Sequence, residues 1–334
     1  MEILTPVEEF LALHPAVAKK GADADASKDA DDDADAKFAR CLERSLSVAE
    51  RCLDLYPRKN ELAFSFNGGK DSTVVLHLLR AAAWRSARRK LGDGGGGGGG
   101  DDGGKAEEEE KEEHSRLALE YASIMDRVYT FYFESDDHFQ EEVDFVRSTT
   151  RPLAEGGCGL SINFLAQGFK DGLELMVAEP KPEAVAVAGG KKGGIGVRAI
   201  MMGTRSTDPD GTGLELFSPS SVGWPCFMRV NPILYWDYAM VWRFLHLVKA
   251  PYCSLYDKGY TSIGSVHDTE PNPELVRAAA AAAAGGCGGG GGSGGAGGGD
   301  RGDALALPAH HLVDGASERA GRRKKKKKKK KKDA

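Results

Sequence analysis

Two features are scarce in this chain of 334 residues: paired cysteines and long apolar runs. Its six cysteines include no Cys-x-x-Cys pair, and no neighbouring histidine completes the spacing of a zinc site. No apolar run approaches the ~20 residues that a membrane span requires, and the acidic start MEILTPVEEFLAL is unlike a targeting segment. These absences argue against a disulfide scaffold and an integral membrane protein. They predict a cytoplasmic protein with reduced thiols and no membrane partner.

The chain also lacks a uniform charge. Its formal net charge of −5 combines acidic runs at 21–36 and 93–113 with a basic run at 322–332. The rest of the chain is close to neutral, so no electrostatic feature predicts a specific nucleic-acid partner. The basic run is most simply a solvated charge run, and nuclear import is its functional alternative.

Glycine is concentrated in two low-complexity tracts. Of the 44 glycines, 23 lie within 92–104 and 285–302. Such composition cannot bury enough apolar surface to offset the entropy of ordering, so we predict a disordered insert at 92–114. The other predicted segments are an N-terminal segment 1–40 with an acidic stretch, a catalytic domain 41–277, an Ala/Gly-rich linker 278–309, an arginine motif 310–323 and a poly-lysine tail 324–334.

Between these tracts the hydrophobic pattern alternates between strand and helix. The apolar run Leu62–Phe66 predicts a buried strand, and the apolar spacing in Ser72–Lys90 predicts a helix. Further strands are predicted at Arg127–Phe133, Leu160–Phe164 and Val197–Met202, and further helices at Cys41–Tyr56, His138–Thr150, Phe169–Ala178 and Tyr238–Val248 with Asp237 as its N-cap. The repeated units predict an α/β fold, a mostly parallel twisted sheet with helices on both faces. Ligands bind such sheets at the carboxyl ends of the strands.

The segment SFNGGKDST, residues 65–73, lies between a predicted strand and a predicted helix. Gly68 and Gly69 let the backbone approach phosphate oxygens, the helix start offers N–H groups, and Lys70 adds a cation. The segment is not a Walker A loop, because Phe64 and Asp71 occupy positions where that loop needs Gly and Ser or Thr. An ordinary strand–helix turn is the alternative. The combination of strand, lysine and helix start favours a phosphate site.

Two further segments contain candidate binding residues. Arg205 and Asp208 follow the predicted strand Val197–Met202 and fit a phosphate ligand and a Mg²⁺ ligand. A capped turn with a surface ion pair fits their spacing equally well. Trp224 and Arg229 offer an apolar wall and a cation for a flat, electron-poor ring, although core packing is favoured for such a tryptophan on residue type alone.

The last candidates are two arginines near the C-terminus. Arg319 and Arg322 are three residues apart, so on a helix they would share one face. On residue type and spacing alone, they are the beginning of the basic tail.

Five segments together resemble the PP-loop ATP pyrophosphatase superfamily, in the form found in eukaryotic-type FAD synthases. The segments are SFNGGKDST (65–73), GTRSTDP (203–209), WPCFMRVNP (224–232), LYDKGYTSIG (255–264) and ERAGR (318–322). The resemblance implies an adenine nucleotide alpha hydrolase-like fold. It also implies Mg²⁺-dependent transfer of AMP from ATP to the phosphate of FMN, which gives FAD and pyrophosphate.

The resemblance implies a role for each matching residue. The implied catalytic residues are Asn67, Asp71, Asp208, Arg319 and Arg322, with Asp208 as the metal ligand. The implied nucleotide- and flavin-binding residues are Ser65, Phe66, Asn67, Gly68, Gly69, Lys70, Asp71, Ser72, Gly203, Thr204, Arg205, Trp224 and Arg229. Because the FMN phosphate is already an anionic nucleophile, positioning and charge stabilisation suffice for such a transfer. We expect a monomer whose partners are the small molecules ATP and FMN.

Two alternatives stay open at this point: a sulfur-assimilation reductase of the phosphoadenylylsulfate type, and a nucleotide-binding module without turnover. A reductase needs a redox cysteine near the C-terminus. The run Ser265–Thr269 has none, and Cys287, the only later cysteine, lies in a glycine tract. Asp71, Arg205, Asp208 and the segment ERAGR are all present, which disfavours a nucleotide-binding module that has lost its catalytic activity.

Overall fold

The computed structural model describes residues 4–13, 34–92, 103–151, 158, 160–180, 194–285 and 306–323. Residues 181–193, most of the acidic N-terminal stretch and the poly-lysine tail lie outside the described residues. The chain divides into two compact units: residues 1–134 with 146–251, and residues 135–145 with 252–334. Among the described helices, none is both long and apolar enough to cross a membrane.

The first unit is built on a six-stranded sheet with the strand order β3-β2-β1-β4-β6-β5. The strands are β1 (Leu62–Ser65), β2 (Tyr129–Phe133), β3 (Ile162–Leu165), β4 (Ala199–Met201), β5 (Phe217–Pro219) and β6 (Met228–Val230). Every neighbouring pair is parallel except β5 and β6, which are antiparallel. The prediction of a mostly parallel α/β sheet is therefore confirmed. β5 and β6 were not predicted, because strands of three residues are too short to show a hydrophobic period.

Helices connect and cover the strands. They are α1 (Leu4–Ala12), α2 (Ala34–Leu55), α3 (Lys70–Leu91), α4 (Gly103–Asp126), α5 (Gln140–Thr149), α6 (Phe169–Val177), α7 (Tyr238–Leu247) and α8 (Pro273–Gly285). Leu173 and Met176 of α6 pack against Ala63, Phe131 and Ile200 on one face of the sheet. α3 packs against α2, α4 and α7. Because α3 begins just after β1, its N-terminus lies at the carboxyl edge of the sheet.

The prediction of a disordered insert at 92–114 is wrong over 103–114, where helix α4 lies, while residues 93–102 fall outside the described residues. The helix begins at Gly103, because the Ala, Glu and Lys residues that follow are strong helix formers. Its later turns pack on α3, where the ring of Trp84 lies 6.3 Å from His114 and 5.6 Å from Tyr121. The structure is therefore helical where the composition predicts disorder over 103–114. α8 extends for the same reason into the predicted linker, since its last turns are an alanine run.

The second unit contains α8 and three short 3₁₀ turns, at Ser254–Tyr256, Ala309–His311 and Gly315–Ser317. Arg319 and Arg322 do not share a helix face, which corrects the sequence prediction. A turn follows Ser317, and Arg322 forms an antiparallel bridge with Thr269. The cause is backbone pairing with Asp268–Glu270, which a regular helix would prevent.

Candidate functional site

The loop between β1 and α3 is held by its own side chains. Asn67 Oδ1 accepts hydrogen bonds from Gly69 N at 3.0 Å and from Ser72 Oγ at 2.7 Å. Gly68 has φ 75°, a conformation that favours glycine. Helix α3 starts at Lys70, and its N-cap residue makes no side-chain capping bond. The first turn therefore presents the positive end of a helix at the sheet edge where anions bind.

Two buried cations lie beneath this loop and share one carboxylate. Asp71 Oδ2 lies 2.9 Å from Lys70 Nζ, and Asp71 Oδ1 lies 2.9 Å from Arg205 Nε. The side chains of Lys70 and Arg205 are each only 2% exposed. Burial by itself would raise the pKa of Asp71, but the Lys70 and Arg205 cations outweigh it and hold that pKa below its ordinary value. Lys70, Asp71 and Arg205 together therefore carry a net charge of +1 beside the helix start, which the neighbouring carboxylate of Asp208 balances.

The segment after β4 lies against the same helix start. A Cβ atom at Gly203 would lie 2.9 Å from Asp71 C and from Ser72 N, so only glycine permits this approach. Asp208 Oδ2 accepts a hydrogen bond from Arg205 N at 2.8 Å, whereas Oδ1 lies 3.7 Å from Arg205 Nη2. The Asp208 side chain is one-quarter exposed. No cluster of three or more metal-binding side chains occurs within the described part of the chain.

An exposed aromatic pair lies elsewhere in the first unit. The rings of Phe169 and Trp224 meet edge to face with centroids 5.8 Å apart, and Phe169 also lies 4.8 Å from Phe133. Phe169 is 56% exposed and Trp224 41%, so the core-packing interpretation of Trp224 is wrong. Gly172 allows Phe133 to lie directly against α6 and support Phe169. Sequence reasoning missed Phe169, although an aromatic residue at the first position of a predicted helix was visible.

Arg229 lies on β6 in the same unit. Its Nη2 donates to Pro219 O at 3.0 Å, and its buried Nε has no hydrogen-bond partner among the described residues. The Arg229 side chain is thus held at Nη2, while its Nε–H donor is not used.

The predicted residues fall into three groups. The loop residues 65–72 lie together with Gly203, Arg205 and Asp208, and Thr204 lies between Gly203 and Arg205 in the segment after β4. Trp224 and Arg229 belong to the β5–β6 region of the same unit. Arg319 and Arg322 belong to the second unit, where Arg319 is exposed. Arg322 is engaged internally, because Nη1 donates to Ile263 O at 2.9 Å and Nη2 lies 3.6 Å from Asp268 Oδ1.

Comparison with known proteins agrees with these features. Residues 61–271 match the phosphoadenosine phosphosulfate reductase domain. The "Probable FAD synthase" of Schizosaccharomyces pombe is 40% identical over 285 residues, which cover 84% of this chain and 78% of that protein. The "Flavin adenine dinucleotide synthase" of Saccharomyces cerevisiae is 29% identical over 241 residues, which cover 70% of this chain and 66% of that protein. The chain spans only 40% of the "Probable FAD synthase" of Caenorhabditis briggsae.

Solved structures show the same fold. A crystal structure of Candida glabrata FMN adenylyltransferase in complex with FAD and inorganic pyrophosphate has a TM-score of 0.59 at 21% identity, covering 96% of this chain and 98% of that one. The same enzyme with FMN and the ATP analogue AMPCPP has a TM-score of 0.56 at 22% identity, covering 96% and 99%. The domain match and the Schizosaccharomyces relative decide the family. The chain belongs to the phosphoadenosine phosphosulfate reductase domain family, within its FAD synthase branch.

Proposed function

We propose that this protein is an FMN adenylyltransferase, which transfers AMP from ATP to the phosphate of FMN and releases pyrophosphate. The observation that carries the proposal is the loop Asn67–Gly69 at an uncapped helix start, tied to the Lys70–Asp71–Arg205–Asp208 cluster. This arrangement binds a polyphosphate and stabilises charge. The FAD synthase names of the curated relatives support the acceptor, and the Candida glabrata enzyme holds FAD and pyrophosphate.

The loop residues bind the triphosphate of ATP in this proposal. Backbone N–H groups at the start of α3 meet phosphate oxygens, and Gly68 and Gly69 give the phosphates room to approach. The side chains of Lys70 and Arg205 are buried and paired with Asp71. They therefore act on the phosphates mainly by electrostatic attraction at a distance, without direct contact. The two cations favour the α-phosphate transition state and the departing pyrophosphate. Because Asp71 and Asp208 balance them, a bound Mg²⁺ would supply the net positive charge. The FMN phosphate needs no general base.

Asp208 is the proposed ligand of Mg²⁺. Magnesium in such sites takes one or two protein carboxylates together with substrate phosphates and water. Asp208 fits this role, because Oδ2 accepts from Arg205 N while Oδ1 lies 3.7 Å from Arg205 Nη2, beyond hydrogen-bond distance, and the side chain is partly exposed. The ion would neutralise charge on the pyrophosphate leaving group when bound.

The aromatic pair Phe169–Trp224 is the proposed surface for the flavin ring. The two rings are nearly perpendicular, so a single exposed ring face offers the flat, electron-rich surface to an electron-poor ring system, and the edge-to-face contact holds that ring in place. Arg229 contributes an unused donor. Arg319 and Arg322 remain proposed catalytic residues, with Arg319 the one that presents its guanidinium to solvent.

A sulfur-transfer reductase is disfavoured by the burial and raised pKa of the Cys253 thiol. The mechanism of a reductase requires a thiolate, and burial raises the pKa of Cys253 to about 11. Cys253 is the one described cysteine of the second unit, so this unit offers no thiolate among its described residues.

The test of the proposal compares two acceptors and one competing reaction. The full chain is incubated with ATP and Mg²⁺ plus either FMN or riboflavin, and FAD, FMN and pyrophosphate are measured by chromatography. A parallel reaction supplies phosphoadenylylsulfate and a dithiol, and sulfite is measured. We expect FAD and pyrophosphate in equal amounts from FMN only. Formation of FMN from riboflavin, or of sulfite, would contradict the proposal.

A further inference from the structure

The C-terminal arginine segment is fastened to the second unit by one buried asparagine. Asn272 is fully buried. Its Nδ2 donates to Ser317 O at 2.9 Å and to Thr261 Oγ1 at 3.0 Å, while its Oδ1 accepts from Glu274 N at 2.9 Å. The same side chain thus caps helix α8 and holds the segment that precedes Arg319.

Thr261 continues this connection. Its hydroxyl, also buried, donates to Glu318 O at 2.6 Å and accepts from Asn272 Nδ2. Two side chains therefore hold the carbonyls of consecutive residues, Ser317 and Glu318, directly before Arg319. Just beyond Arg319, Glu270 N donates to Gly321 O at 3.0 Å. Backbone position is consequently fixed on both sides of an arginine whose side chain is exposed.

Apolar burial cannot account for the position of this segment. In 313–323 the buried residues are Glu318 and Gly321, and the largest apolar side chain, Val313, is fully exposed. Burying the polar groups of Thr261 and Asn272 costs free energy unless each finds a partner. Each side chain donates one hydrogen bond to a carbonyl of this segment, and Asn272 donates a second one to Thr261. The hydrogen bonds, and not hydrophobic contacts, determine where Arg319 lies.

We propose that Thr261 and Asn272 are positioning residues for the transfer reaction: they fix the backbone of residues 317–318 and thereby place the guanidinium of Arg319. The inference rests on the proposed function, in which Arg319 is a phosphate ligand. Catalysis by positioning is sensitive to displacement, and a shift of about 1 Å costs ~100-fold in rate.

The test uses Thr261→Val, which keeps the shape and removes the hydroxyl, and Thr261→Ser, which restores the hydroxyl. Asn272→Ala is the second variant. Ser45→Ala is the matched control, because Ser45 is equally buried and lies in the other unit. Its hydroxyl shares one proton between two nearby carbonyls, Cys41 O and Pro232 O, and accepts a hydrogen bond from Trp236 Nε1.

The first measurement is limited trypsin digestion of the full chain, with mass spectrometry of cleavage after Arg319 and Arg322. This readout does not depend on activity. We expect cleavage to accelerate at least about tenfold in Thr261→Val and Asn272→Ala, the effect of one lost buried hydrogen bond on local opening. Thr261→Ser and Ser45→Ala should resemble the parent protein. Unchanged cleavage in both Thr261→Val and Asn272→Ala would overturn the inference.

The second measurement is kcat for FAD formation, with and without Arg319→Ala. We expect Thr261→Val to lower kcat at least about tenfold in the parent and to have little further effect once Arg319 is alanine. An equal loss in both backgrounds would overturn the positioning role. If the parent protein makes no FAD, the proposed function fails, while the trypsin experiment still decides whether Thr261 and Asn272 hold the segment.

Discussion

Asp208 uses its two carboxylate oxygens differently, and this difference can be tested at the scale of one residue. Oδ2 holds the backbone of Arg205, and Oδ1 is the proposed contact to Mg²⁺. Asp208→Asn keeps an acceptor for Arg205 N but removes the charge. We expect turnover to fall ~100-fold, because charge stabilisation of the leaving group is lost, with no change in melting temperature. Higher Mg²⁺ concentrations should restore part of the rate.

Asp208→Ala separates the two effects, since it removes the charge and the acceptor together. This variant should lose both turnover and thermal stability. An Asp208→Asn enzyme with parental turnover would show that the carboxylate serves the turn alone.

Phe169 offers a second test at the same scale. Phe169→Leu keeps apolar volume but removes the ring that meets Trp224. We expect the KM for FMN to rise about tenfold, the value of one aromatic contact, while the KM for ATP stays constant. Quenching of flavin fluorescence on binding should weaken in parallel.

The control for Phe169 is Tyr235→Leu, which alters another exposed aromatic residue of the same unit. Tyr235 is 40% exposed and lies under Arg44, outside the aromatic pair. A rise in the KM for ATP equal to that for FMN in Phe169→Leu would indicate a general distortion instead of a flavin contact.

At the scale of elements, Tyr121 is one of the residues through which helix α4 contacts α3. Its ring packs on Trp84 with centroids 5.6 Å apart, and Arg80 Nε donates to its hydroxyl at 3.3 Å. Tyr121→Ala should lower the free energy of unfolding by about 2 kcal/mol through lost apolar burial and the lost ring contact. Leu119→Ala on the same helix removes a side chain that is 72% exposed and should change it little. Urea denaturation measures both, and equal effects would mean that α4 is not anchored through Tyr121.

Elements could be predicted from the sequence where a hydrophobic period was long enough to recognise. The strand–loop–helix from Leu62 into α3 is such a case, because its strand, glycines and helix are contiguous in sequence. Helix α4 was not predicted. Its first turns consist mostly of charged residues that follow a glycine tract, so they show no hydrophobic period although they have high helix propensity. The pairing of Phe169 with Trp224 and the anchoring of Arg322 on Ile263 were also beyond prediction, because both join residues far apart in the chain.

At the scale of the whole molecule, one buried group in each unit links stability to pH, and the two groups act in opposite directions. His77 in the first unit is buried, and burial, with a contribution from Arg80, lowers its pKa to about 3. A histidine that must stay neutral when folded costs stability as pH falls through its unfolded value of ~6.5. Glu142 in the second unit is also buried, and burial raises its pKa to about 8 despite the opposing cation of Arg322. Protonation of His77 therefore lowers stability on the acidic side, and ionisation of Glu142 lowers it on the alkaline side.

Glu142→Gln tests the alkaline limit. Below pH ~4.5 the carboxyl of Glu142 is protonated in both the folded and the unfolded chain, so its contribution to stability is fully present. As pH rises toward 8 the unfolded chain loses this proton while the folded chain keeps it, and stability falls until the folded pKa of about 8 is passed. Glutamine has the shape of the protonated acid and does not ionise, so the variant should gain a few kcal/mol over the parent at pH 9 and nothing at pH 4. Glu141→Gln is the control, because Glu141 hydrogen-bonds Lys258 and its pKa is lowered, so this substitution should give no alkaline gain. Thermal unfolding between pH 4 and 9 measures the difference, and parallel curves for Glu142→Gln and the parent would show that Glu142 does not set the alkaline limit.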